Sequence, residues 1–105
     1  MKRLEFLGDS LVRLRDFPET IRREIGVQLH KVQLGLEPSD WKPMATIGTG
    51  VGEIRVRDHQ GAFRVLYVVK LAETIYVLHA FQKKTQKTIK RDLDIAALRL
   101  RQIQE

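Results

Sequence analysis

The most constraining feature of the chain is the stretch from Val51 to Gln82. Here VGEIRVRD, AFRVLYVVKL and TIYVLHAFQ follow one another with little more than His59-Gln60-Gly61 and Ala72-Glu73 between them. Each run is rich in β-branched and aromatic residues, and connectors this short suit hairpins rather than crossovers, so the three runs predict an antiparallel meander. Such a sheet has a face to bury, and the rest of the chain must cover it. Asp9 or Ser10 starts a short helix running through Phe17. Pro18 followed by Glu19 begins another, with Ile21, Ile25, Leu29 and Val32 or Gln33 on one face until Gly35. Thr88 caps a last helix whose Leu93, Ala96 or Ala97, Leu100 and Ile103 share a face. Arg3 to Leu7 alternates as a short strand that Gly8 ends. LEPSDWKPM reads as a loop that brings Met44 to Ile47 to the sheet, and Gly48 and Gly50 mark a bend or bulge. The expected order is β-α-α-β-β-β-α. This is a single α+β domain over residues 1–105, with an antiparallel sheet of about four strands, a helix pair packed on one face and a C-terminal helix.

Hairpin register sorts the side chains. With His59-Gln60 at the tip of the first hairpin, Arg57 faces Ala62, Arg55 faces Arg64 and Glu53 faces Leu66. A turn at Ala72-Glu73 pairs Lys70 with Ile75, Val68 with Val77, Leu66 with His79 and Arg64 with Phe81. One face then carries Ile54, Val56, Phe63, Val65, Tyr67, Val69, Tyr76, Leu78 and Ala80 as core. The other carries Glu53, Arg55, Arg57, Arg64, His79 and Phe81 toward one end. Opposed arginines repel by a few tenths to about 1 kcal/mol, which calls for an anion between them, either a ligand or Glu53 reaching diagonally. Directly after this strand end come Lys83, Lys84, Lys87, Lys90 and Arg91 with no acidic residue among them. Cations at a helix start oppose its dipole, so helix stability does not explain them, and phosphate binding does. Phe81 beside Arg64 is placed to stack a base.

Composition narrows the chemistry. Against 13 Asp+Glu stand 19 Lys+Arg, a net charge of +6, which suits a polyanionic partner. There is no cysteine, which removes disulfides, thiolate metal sites and cysteine nucleophiles, and suits a reducing, cytoplasmic location. The three histidines at 30, 59 and 79 fall on separate elements, paired carboxylates at metal-ligand spacing are absent, and no metal or cofactor is expected. GTGVG, from Gly48 to Gly52, lacks the lysine of a phosphate-binding loop and reads as a bend. No apolar run is long enough to span a membrane.

WKPM, GTGVGEIRVRD, GAFRVLYVVK and above all YVLHAFQKKTQKT resemble the phage-related HigB group of the RelE/ParE toxin superfamily over nearly the whole chain. The resemblance implies a type II toxin–antitoxin toxin acting as a ribosome-dependent mRNA interferase. Such an enzyme cleaves RNA without metal by 2′-hydroxyl attack and is neutralised by a helix-turn-helix antitoxin. Position by position, it implies that Arg64 clamps the scissile phosphate and that Arg55 is a second phosphate ligand or proton-transfer partner. Lys83 and Lys84 would stabilise negative charge or dock RNA, and His79 would be a general acid or base. Arg57, Phe81, Lys87, Lys90 and Arg91 complete the expected RNA-binding surface. The C-terminal helix lacks the tyrosine or histidine that some RelE enzymes use, and Glu53 stands where RelE has a basic residue. The ParE branch shares the fold and inhibits gyrase, so a non-catalytic gyrase inhibitor or basic nucleic-acid-binding module is the alternative.

Overall fold

A computed structural model describes residues 1–84 and 90–103. In these residues the order is β1 (Arg3–Phe6), α1 (Ser10–Arg15), α2 (Glu19–Gln33), β2 (Trp41–Pro43), β3 (Val51–Asp58), β4 (Gly61–Lys70), β5 (Thr74–Lys83) and α3 (Lys90–Gln102). The predicted meander is β3-β4-β5, and it forms the centre of a sheet ordered β1-β5-β4-β3-β2. The sheet therefore has five described strands rather than about four, and it is mixed. Residues 3–6 run parallel to Thr74–Val77 of β5. Nothing local encodes that direction, because the partner lies some seventy residues away in sequence. Trp41–Pro43, expected as loop, pairs antiparallel with Gly52–Ile54. Proline donates no N–H, so this short strand is confined to the sheet edge and its sequence looks like a turn.

The helices begin and end for identifiable reasons. Pro18, with φ −54° and ψ 147°, stands just outside α2 and pre-sets the chain for it. At the other end Gly35 adopts φ +82°. Its N–H donates to the Val32 carbonyl at 3.0 Å, while the Leu36 N–H reaches back to Lys31 at 2.9 Å, closing the helix with a Schellman motif. Asp9 precedes α1 without capping it through its side chain. The predicted cap of α3, Thr88, lies outside the described residues.

The first hairpin has the predicted register, with Arg55 opposite Arg64 and Glu53 opposite Leu66. The second keeps it from Ala62↔Lys83 to Leu66↔His79 and then shifts by one, because Tyr67 pairs with Val77 and leaves Leu78 over as a bulge. The turn moves with it. Leu71 and Ala72 occupy its centre at φ 54° and 58°, and the Glu73 N–H donates to the Lys70 carbonyl at 3.1 Å.

That one-residue shift redistributes the core. Ile75, Val77 and Ala80 join Ile54, Val56, Phe63, Val65 and Tyr67 under Ile21, Ile25, Leu29 and Val32 of α2. Tyr76 and Leu78, expected on that side, turn instead to Leu66, Val68 and Phe81 under Leu93, Ala96 and Leu100 of α3. The sheet is thus covered on both faces. Gly52 matters to the first layer: a Cβ there would come within 2.8 Å of the Tyr67 ring, which lies across it.

Candidate nucleic-acid interface

Helix α3 covers only part of its face. Beyond Leu66, toward the Asp58–Gly61 hairpin, the same face carries Glu53, Arg55, Arg57, Arg64 and Lys83 in neighbouring strands, and Lys42 stands opposite Glu53 on β2. Glu53 is only 1% exposed, yet its Oε1 lies 3.5 Å from Arg64 Nε and 3.8 Å from Arg55 Nε. One buried carboxylate thus answers the repulsion expected between the two arginines, and the arginines in turn offset the cost of burying it. Arg64 is buried at 7% exposure, and its Nη1 donates to the Phe63 carbonyl at 3.2 Å. Burial pushes the Arg64 pKa down, Glu53 opposes this, and the guanidinium remains charged. Its Nε makes no hydrogen bond among the described residues.

Arg57 is exposed and Arg55 partly so, which leaves positive charge at the surface above the buried pair. Lys83 joins them. Desolvation pushes its pKa down, Arg64, Arg55 and Lys42 add to that effect, and Glu53 works against it. An ammonium in such company releases its proton more readily than a free lysine. Sequence reasoning missed Lys42, since its place on this face follows only from WKP pairing as a strand. It also read Glu53 as a charge to be weighed rather than as the centre of the cluster.

His79 is not part of this cluster. It is completely buried beneath α3, and its Nε2–H donates to Asp92 Oδ1 at 2.7 Å. Its Nδ1 has no partner among the described residues. Desolvation pushes its pKa down, against the pull of Asp92, which keeps the ring neutral. Phe81 is 4% exposed and stacks on His79 with ring centroids 5.3 Å apart. Stacking a base on Phe81, as expected from the sequence, would compete with those contacts. Lys84 and Arg91 line a separate cavity of about 370 Å³ with Arg13 and Phe17. Lys90 instead pairs along its own helix with Asp94 at 2.7 Å. Lys87 lies outside the described residues.

A second polar knot fastens α3. Arg99 donates from Nη2 to Asp9 Oδ1 at 2.7 Å and from Nη1 to the carbonyl of the bulge residue Leu78 at 2.9 Å. Arg13 and Arg99 together hold the Asp9 carboxyl down to about 2. Among the described residues no group of three or more His, Asp or Glu could hold a metal ion, and no helix is long and apolar enough to cross a membrane.

The model of the family described as "Phage derived protein Gp49-like (DUF891)" matches residues 13–101. The chain belongs to that family. Gp49-like proteins are a RelE/HigB-like toxin family, and the mixed sheet with three described helices is compatible with a RelE-like fold. The match takes in Lys42, Glu53, Arg55, Arg57, Arg64 and Lys83, and membership is consistent with a toxin of a toxin–antitoxin system. No curated protein matches the chain significantly.

Proposed function

We propose that this Gp49-like protein is the toxin of a type II toxin–antitoxin system and cleaves messenger RNA on the ribosome, in the cytoplasm. The observation that supports the reading best is the pair Arg55 and Arg64, opposed on adjacent strands and gathered over the buried Glu53 at the uncovered end of the sheet. In the proposed reaction the ribose 2′-hydroxyl gives its proton to solvent water and attacks the adjacent phosphorus. The 2′-O–P bond forms as the P–O5′ bond breaks, giving a 2′,3′-cyclic phosphate and a 5′-hydroxyl. Charge gathers on the non-bridging oxygens, where the Arg64 and Arg55 guanidiniums stabilise it. Glu53 positions both arginines. Lys83, its proton loosened by its neighbours, donates that proton to O5′ as it leaves and is left as the neutral amine. His79, sealed under α3, acts through the fold, holding the start of that helix by Asp92 rather than meeting RNA. Arg57, Lys84 and Arg91 bind flanking phosphates, and a small helix-turn-helix antitoxin is the partner that neutralises the toxin.

The test is to add the purified protein to translating ribosomes and map message ends. Cuts at fixed codon positions that disappear with Arg64→Ala are expected; no cuts, with growth arrest unaffected by that substitution, would sink the reading. A second reading is favoured by one observation, the burial of His79, the side chain best tuned to proton transfer near neutrality. In it the basic face binds without cleaving, as a gyrase-directed inhibitor or a nucleic-acid-binding module. Supercoiling inhibition, or RNA retention that yields no 2′,3′-cyclic ends, would identify it.

A further inference from the structure

Strand β2 pairs with β3 only over Gly52–Ile54, and beyond that point the Arg55 N–H donates to the Asp40 carbonyl at 2.9 Å. Past this bond the β3 edge opens into a cleft of about 310 Å³. Its lining carries both signs of charge, the acidic Glu24 and Asp40 together with the basic Arg55, Arg57 and Arg64. No described ion pair crosses it, since Arg55 and Arg64 pair with Glu53 instead. Asp40 nevertheless lies near enough to favour the charged form of Arg64. Opposite charges that line one cleft without pairing leave room for a ligand that offers them both acceptors and donors.

The acidic part of the lining is built rather than incidental. Gln28 is 3% exposed and its amide is fixed at both ends. Nε2 donates to Glu24 Oε2 at 2.5 Å, and Oε1 accepts from the Ser39 N–H at 2.7 Å. The first bond orients the Glu24 carboxylate; the second holds the segment that presents Asp40. We infer that this cleft is a nucleobase subsite that selects guanine, an inference that rests on RNA being the ligand of the arginine face. Guanine presents the acceptors O6 and N7, which match an arginine fork. Beside them its N1–H and N2 amine match a carboxylate. Adenine sets an amine against the arginines where guanine has O6, and pyrimidines lack N7. The cleft is at the small end of ligand pockets, in keeping with one base, and it shares Arg55 and Arg64 with the phosphate clamp.

Binding of uncleavable 2′-O-methyl oligouridines tests this, with one central residue as guanine, adenine, cytosine or uracil. The guanine probe is expected to bind roughly tenfold tighter, the worth of one good bidentate contact. Glu24→Gln combined with Asp40→Asn, two near-isosteric changes at exposed positions, is expected to erase that preference without weakening the all-uracil probe. Its folding is checked by thermal melting. Equal binding of all four probes, or a guanine preference that survives the double variant, overturns the subsite. Absence of ribosomal cleavage with the preference intact would sink the nuclease reading alone, and binding of no probe with ribosomal cleavage intact would overturn the subsite alone.

Discussion

Arg64 sits where charge and burial conflict. At 7% exposure its guanidinium has lost most of its water, and Glu53 supplies the counter-charge from beneath. In the proposed reaction a lysine there would keep the charge and lose the planar fork suited to two phosphate oxygens at once. Both Arg64→Lys and Arg64→Ala are therefore expected to lower cleavage by about 10² or more in single-turnover assays, the cost of removing one transition-state donor. His79 makes a different prediction. Its folded pKa lies below 6.5, so as pH falls past that value the unfolded chain takes up the proton first. Stability due to this residue is complete above about pH 6.5 and declines on acidification until the folded pKa is passed. Urea midpoints at pH 7.5 and 5.5 should show the loss, and His79→Gln, which can still donate to Asp92, should flatten it. Arg55 and Arg64 could be named from their strand register. The roles of His79 and Phe81 could not, because burial depends on which helix lands over them.

At the level of elements, the β4–β5 hairpin holds two irregularities with one origin. Leu78 bulges from β5, and the turn is moved to centre on Leu71 and Ala72, neither a residue that favours positive φ. Left-handed backbone costs an L-residue about 1–2 kcal/mol, and Asn-Gly suits this turn. Leu71→Asn with Ala72→Gly should therefore raise unfolding stability by about 1–2 kcal/mol in denaturant titrations. A loss of stability would show that the exposed Leu71 has contacts that outweigh the strain. Both hairpins were legible from alternation and turn spacing, and the first matched residue for residue. The second failed beyond Leu66, since a bulge inserts a residue without altering composition or the number of apolar positions. Strand β2 was hidden for a related reason: a three-residue strand ending in proline exists only because β3 offers it an edge.

The whole molecule carries +6 and gathers Arg55, Arg57, Arg64 and Lys83 at the end of the sheet that α3 leaves uncovered. If these four each displace a counter-ion from single-stranded RNA, log affinity should fall against log salt with a slope of roughly −3. Arg57→Ala, which removes an exposed cation, should reduce that slope by about 0.7 in filter-binding or anisotropy titrations, with little change in melting temperature. The amino-acid sequence by itself determined the meander, the helix faces, the first hairpin's register and the excess of positive charge. These follow from local periodicity, turn chemistry and residue type. Only the tertiary structure decided that α2 and α3 take opposite faces, that β1 and β2 complete the sheet, and that His79 is sealed while Arg64 is held over Glu53. Each of those outcomes depends on contacts between segments distant in the chain, where burial and pairing are settled by what packs above a residue rather than by its neighbours in sequence.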